Sequence, residues 1–336
     1  MPNKKLDKLF NSEIRLTEYP IEAKIKIGIS ACLIGQKVRF NGGHSQSKLC
    51  LNKLGQYFQW QAFCPEVAAG FSTPRPTMRL IGNPKAPKLI NPKQPDTDLS
   101  QQLQLGYTSH LDWMEDLHGY VLMKNSPSCG LERVKVYQAN GHPHQIRTKG
   151  LFTKALIARF PLLPIEEEGR LHDPHLLENF VMRIYVHHRF YTEVFSQLSL
   201  NALQKFHWQH KYLLMANAPK SLKLLGNMLA RPQDYQLEPL AQHYFSVLMN
   251  GLKSPANRGQ HSNTLQHLLG YLRPLLTTRT RQHLHKIILR YRFGELPLAT
   301  PITLFQHYLR QSDNHYLNKQ RYFHPYPQEL GLANYI

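Results

Sequence analysis

Along residues 24–165 the hydrophobic positions switch repeatedly between a period of two and a period of roughly 3.6. Lys24-Ile-Lys-Ile-Gly-Ile-Ser30 alternates polar and apolar like a strand and ends in small residues just before Cys32. Ser45–Tyr57 predicts a helix, Gln59–Phe63 a short strand before Cys64-Pro65-Glu66, and Asp98–Leu117 a helix behind an acidic start. Gly119–Lys124 predicts a strand that empties into Asn125-Ser-Pro-Ser-Cys-Gly130; Thr148–Phe160 is helical, and Leu162–Ile165 returns as a strand. Strands alternating with helices predict a three-layer α/β domain with a mostly parallel sheet.

From Asp173 onward apolar residues recur at three and four, and no strand is expected. The spacing predicts helices over His172–Leu198, Asn201–Ala216, Leu237–Leu252, Thr264–Leu276 and Arg279–Arg292, punctuated by Pro219, Pro232, Pro255, Gly294 and Pro297. No internal repeat of fixed period occurs. The 336 residues therefore divide into an N-terminal arm over 1–20, an α/β domain over 21–168 and an all-α domain over 169–336.

Composition narrows the function classes. No apolar h-region follows the first charges and no apolar run reaches membrane-spanning length, so neither secretion nor membrane insertion is expected. The four cysteines, Cys32, Cys50, Cys64 and Cys129, are too sparse for a disulfide scaffold and fit free thiols or metal ligands in a reducing, cytoplasmic setting. Net charge is +19, with 22 basic and 14 acidic residues up to position 168 and 19 basic and 8 acidic after it, so both halves are positive. Charge of this size favours an anionic partner, nucleic acid before a membrane surface. The sequence points to no protein partner and sets no oligomeric state.

Cys32, Cys64 and Cys129 each follow a predicted strand. In parallel α/β sheets ligand sites gather beyond the carboxyl ends of the strands, so the three thiols are expected to converge at one sheet edge. Zinc sites favour close Cys-x-x-Cys pairs and four ligands; three scattered cysteines suit an iron–sulfur cluster with one iron open to substrate. The alternative is that the cysteines are small buried hydrophobes that bind nothing.

Three motifs carry a resemblance to a family. Ser30-Ala-Cys-Leu-Ile-Gly35 with Val38-Arg-Phe-Asn-Gly-Gly43, then Cys64-Pro-Glu66 through Thr73-Pro-Arg-Pro76, then Lys124-Asn-Ser-Pro-Ser-Cys-Gly130 resemble the thiouracil desulfidases over residues 24 to 168. The second half, through Glu178-Asn-Phe180, His207-Trp-Gln-His-Lys211, Asn263-Thr-Leu-Gln-His267 and Tyr291-Arg-Phe-Gly294, is similar to a helical domain fused to such desulfidases in bacteria. That pair is associated with removing sulfur from 4-thiouridine in transfer RNA. The resemblance implies that Cys32, Cys64 and Cys129 hold a [4Fe–4S] cluster with one iron not ligated by protein. It also implies catalytic roles for Glu66 and Ser126: Glu66 as general base for the attacking water, Ser126 as proton relay or ring-nitrogen contact.

Each residue also has a plainer reading. Glu66 could be a helix-start carboxylate and Ser126 a turn former. Arg75, flanked by two prolines, and Lys124 are the substrate-binding candidates; Arg75 either grips a phosphate or clamps a carboxylate within the fold. Cys50 is expected to be an ordinary thiol. Asn41 stands where the family version of the stretch has an acidic residue, and it keeps the ability to form a turn. Fourteen of the 19 histidines follow residue 168, among them His187, His188, His207 and His210, without a His-Glu-x-x-His pattern; they are read as surface, core or RNA-contacting residues. The tyrosines between Tyr308 and Tyr335 are expected to pack the last helices rather than stack bases.

Three functions follow: a desulfidase of thiouridine in transfer RNA, a desulfidase of free 2-thiouracil, and a non-catalytic iron–sulfur RNA-binding or redox-sensing protein. A small free substrate would not require the helical half or the large charge, and a sensor would not require Glu66.

Overall fold

A computed structural model describes residues 24–311 and 314–336; the arm expected over residues 1–20 lies outside the described residues. Its strands are β1 Ile25–Ser30, β2 Phe58–Phe63, β3 Arg79–Ile81, β4 Lys88–Asn91, β5 Gln94–Asp98, β6 Tyr120–Leu122, β7 Val136–Tyr137 and β8 Ile165–Glu167. Its main helices are α1 Ser100–Thr108, α2 Leu151–Arg159, α3 Pro174–Glu193, α4 Leu200–Asn217, α5 Pro219–Ala230, α6 Leu237–Gly251, α7 Arg258–Leu272, α8 Thr278–Arg292 and α9 Ala299–Arg310. Strands β2, β1, β6 and β8 lie side by side in that order, every pair parallel. β1 and β2 run in unbroken register from Ile25 opposite Phe58 to Ser30 opposite Phe63, so they end flush.

Alternation along the strands sorts the core into two faces. Ile25, Ile27, Ile29 and Val121 join Phe180 and Ile184 of α3 in one cluster. Tyr120 and Leu122 turn the other way, onto Leu103 and Tyr107 of α1 and Phe152 and Leu156 of α2. The sheet is thus the middle of three layers, and its second cover is the first long helix of the helical half. Replacing the fully buried Ile27 by Ala would cost about 2–5 kcal/mol. α3 starts cleanly because Asp173 caps it, accepting from the backbone N–H groups of His175 and Leu176, with Pro174 at the first helical position. No helix among the described residues is long and apolar enough to cross a membrane.

Several elements differ from the sequence reading. A second sheet, β5-β4-β3-β7, flanks the first; its strands are two to five residues long and β5 is exposed throughout, so no apolar alternation marks them. The helix expected over Ser45–Tyr57 is only a π-turn at Leu49–Lys53 and a 3-10 turn at Leu54–Gln56. The N–H groups of Ser45 and Ser47 are spent on the carbonyls of Cys32 and Leu33, which holds the start of the segment extended. Asp98 ends β5 and its carboxylate accepts from Ser100 N at 2.9 Å, so α1 starts after it and stops at Thr108. The last strand lies at Ile165–Glu167 rather than Leu162–Ile165, since Leu162 and Leu163 form a turn. α5 and α9 were not foreseen: Pro219 starts the first instead of breaking a helix, and the second begins at Ala299 with Pro301 inside its first turn.

Candidate functional site

β1 is the point from which the chain crosses to neighbours on both sides, β2 on one and β6 on the other. The crevice beyond the carboxyl end of such a strand is where parallel α/β sheets hold ligands. The three cysteines stand there. Cys32 sits in the 3-10 turn Ala31–Ile34 directly after β1, closed by Gly35 at φ +94°, which a side chain would disfavour. Cys64 follows β2 and caps the one-turn helix Pro65–Ala68. Cys129 lies in the loop after β6. Cys32 and Cys129 are buried and Cys64 is partly exposed.

The three thiols sense one another. Burial, reinforced by the neighbouring Cys64, pushes the Cys32 thiol up to about 11; burial raises Cys64, and burial together with Cys64, Glu66 and Cys32 raises Cys129 well above the ordinary range. Among the described residues no group of three His, Cys, Asp or Glu side chains is close enough to share a single metal ion. Cys50 is also fully buried, but its charged neighbour is Glu168, not the other thiols.

The Cys129 loop is built tightly. Ser126 Oγ accepts from the N–H groups of Ser128 and Cys129 at 3.2 and 3.1 Å, which is the turn-forming role. Thr153 Oγ1 donates to the Cys129 carbonyl at 2.8 Å, and Ser30 Oγ at the end of β1 accepts from Met123 N at 3.0 Å and bonds the Cys129 thiol. A Cβ on Gly150 would fall 2.3 Å from the Ser128 carbonyl oxygen and 2.8 Å from Cys129 N, so only glycine lets α2 start this close to the loop.

Glu66 connects the loops. Its Oε1 accepts from Ser128 Oγ at 2.8 Å, and its Oε2 accepts from Arg75 Nε at 3.0 Å and also from Arg75 Nη2. Arg75 further donates to the carbonyl of Ser72 at 3.2 Å, to Thr73 Oγ1 at 3.1 Å and to the Val38 carbonyl at 3.0 Å, while its own N–H donates to the Phe40 carbonyl at 2.8 Å. All five guanidinium N–H groups therefore have acceptors within the protein, and the side chain is 5% exposed. Of the two readings of Arg75, this geometry has the carboxylate clamp. The clamp also pins the Val38–Gly43 stretch, where Asn41 Oδ1 accepts from Gly43 N at 3.1 Å and so forms the turn. The three sequence motifs meet at Glu66 and Arg75.

Lys124 is exposed, and its aliphatic stem crosses Gly169, where a Cβ would meet its Cδ at 2.9 Å. Sequence reasoning missed Ser128, Ser30 and Thr153, because single serines and threonines near a cysteine carry no spacing signal. Three histidines of the helical half are packing groups: His210 is fully buried with Nδ1 bonded to the Phe206 carbonyl at 2.8 Å, His207 bonds the Tyr244 hydroxyl, and His187 faces His118 at 3.0 Å; others, such as His267 and His283, are exposed. Tyr322 and Tyr326 are buried in the last segment, and Tyr335 is exposed.

A parallel α/β domain with three thiols and a clamped carboxylate beyond the ends of its central strands is the class this site defines. Residues 27–168 match the 2-thiouracil desulfurase family and residues 211–327 a family of unknown function, DUF1722. The chain is 30% identical over 158 residues to the uncharacterized protein YbgA of Escherichia coli, covering 94% of it and 47% of this chain. It is 32% identical over 108 residues to the uncharacterized protein YbbK of Bacillus subtilis, covering 71% of it and 30% of this chain. Among solved structures it is similar to the [4Fe-4S]-dependent thiouracil desulfidase TudS, at 30% identity over 95% of that chain and 45% of this one, with a TM-score of 0.36. The chain belongs to the 2-thiouracil desulfurase family and carries a DUF1722 region behind the family domain.

Proposed function

We propose that this chain is an iron–sulfur-dependent desulfidase that converts thiouridine, foremost 4-thiouridine in transfer RNA, to uridine with release of hydrosulfide. The observation that carries the reading is the convergence of Cys32, Cys64 and Cys129 around a carboxylate, Glu66, held by Ser128 and Arg75. The donor chemistry fits a [4Fe–4S] cluster, which cysteine thiolates hold: three soft thiols stand beyond three adjacent strands of the parallel sheet. Bound there by Cys32, Cys64 and Cys129, the cluster would supply a Lewis-acidic iron, free of protein ligand, with affinity for sulfur.

The protein's own groups would do the rest. Glu66 takes one proton from water as the water oxygen bonds to the ring carbon; the C–S bond then breaks as that proton passes from Glu66 to the sulfur, which leaves as hydrosulfide, and the second water proton is released as the ring carbonyl forms. No electrons are gained or lost, so the reaction is a hydrolysis. Arg75 and Ser128 hold the carboxylate aimed, while leaving a lone pair for the water. Ser126 spends its lone pairs on the loop and retains its hydroxyl proton for a substrate oxygen or nitrogen. Lys124, exposed at the end of β6, is the remaining cation for a phosphate or base contact.

Transfer RNA is favoured over a free base by charge and its placement. α8 buries Leu284, Ile288 and Tyr291 and exposes Arg279, His283, Lys286 and Arg290 at helical spacing. A basic stripe of this kind meets a phosphate backbone, and a base stacked in folded RNA would have to be extruded to react. The test is to reconstitute the protein without oxygen and offer it bulk thiolated transfer RNA or free 2-thiouracil, following near-ultraviolet absorbance and sulfide. Loss of thiouridine with matching sulfide supports the RNA reading. Turnover of 2-thiouracil alone would make the free base the substrate, and turnover of neither would favour a cluster-bearing sensor.

A further inference from the structure

The helical half contains a cavity of about 250 Å³ between α3, α4, α7, α9 and the segment after residue 320. That is room for roughly eight waters or one small ring compound. Much of its wall is apolar, with Leu213, Ile302 and Phe323 among the lining groups. Into this wall comes one carboxyl group, Glu178, a turn ahead of Met182 on α3.

Glu178 is partly exposed and lacks the cation that shielded carboxylates usually have. Its hydrogen-bond partner is the Tyr326 hydroxyl, and among the described residues no lysine, arginine or histidine pairs with it; burial pushes it up to about 7. An acid partly shielded from water against an apolar wall, without a cation, is held at a cost in free energy. Several polar groups at the cavity have a donor tied up inside the protein. Gln306 Nε2 donates to the Phe323 carbonyl at 2.9 Å, Asn217 Nδ2 to the Leu213 carbonyl at 3.0 Å, and His261 Nδ1 pairs with the Tyr322 hydroxyl at 3.2 Å. The acceptors on this wall include the Glu178 carboxylate and the amide oxygens of Gln306 and Asn217.

We infer that this cavity binds a small planar ligand whose edge offers adjacent N–H donors to Glu178, as an amidinium, a guanidinium or a guanine edge does, with its body against Ile302 and Phe323. Neither the cysteines nor Glu66 take part, so the site is independent of the desulfidase reading. The same edge chemistry could come from a free metabolite or from a base extruded from bound RNA.

Calorimetric titration of benzamidine and of guanosine into the full chain tests it. Saturable binding of either probe is expected, weakened at least about tenfold in Glu178→Gln, which keeps the side-chain size, and likewise in Ile302→Trp, which fills the cavity. Circular dichroism should show both variants folded. Absence of saturable binding to the unaltered protein, or equal affinity in both variants, would overturn the inference. Displacement of benzamidine by unmodified transfer RNA would make an RNA base the source of the edge, and failure to displace it would make the ligand a free small molecule.

Discussion

The Ser128 hydroxyl donates to Glu66 Oε1 at 2.8 Å, joining two loops that lie 62 residues apart in sequence. One residue further on is Cys129 and two residues back from Glu66 is Cys64, so this one bond links the carboxylate to the settings of two thiols. Replacing Ser128 by Ala should leave cluster loading intact and lower the rate of sulfide release about tenfold through kcat, since a mis-aimed base forfeits part of what general-base catalysis supplies. Equal kcat in the variant, measured on thiolated RNA at saturating concentration, would show that the hydroxyl does not aim the base.

Arg75 and Glu66 form a largely buried pair, 5% and 13% exposed. Removing one partner should cost about 3 kcal/mol in urea unfolding, because the other charge is left uncompensated. The Arg75→Ala, Glu66→Ala double variant should lose less than the sum of the single losses. Additive losses would mean the pair is not coupled.

How far the site could be read from the sequence depends on the residue type. The cysteines were legible because Cys32 and Cys64 stand directly behind strands and Cys129 in the loop after a third, and strand ends at a parallel sheet's crossover point gather by topology. Glu66 was legible by its place beside Cys64. The use of Arg75 was not: its acceptors at Val38, Ser72 and Glu66 come from chain folding, and the sequence left phosphate and carboxylate equally open. The second sheet escaped because its strands are short and β5 is exposed on both faces. α5 escaped because a proline that ends one helix and a proline that begins the next look alike without the backbone.

Acid should destabilise the protein through its buried histidines. Burial holds His118, His207 and His261 down to about 4 in the folded chain against an ordinary value of 6.5. The unfolded chain binds these protons first, so stability is present above pH 6.5 and is lost as pH falls from 6.5 through 4. Glu178 acts with the opposite sign: its raised value costs stability as pH climbs from 4.5 through about 7, on the order of 3 kcal/mol. Glu178→Gln should therefore gain on the unaltered protein at pH 8 and not at pH 4, as read by chemical denaturation; equal curves at both would place its carboxyl in water.

The basic stripe on α8 should govern RNA affinity. Replacing Arg279, Lys286 and Arg290 by Gln should weaken binding of transfer RNA and reduce the slope of log affinity against log salt by about one for each phosphate that is no longer neutralised. An unchanged slope would move the RNA-binding face elsewhere.

The most direct measurement is to load the unaltered protein and Glu66→Gln with iron and sulfide under anaerobic conditions, compare iron content and visible absorption, and follow sulfide released from thiolated substrate. The account predicts equal cluster content and a loss of at least about 100-fold in turnover for the variant. A variant that carries the cluster and still releases sulfide at the full rate would contradict it.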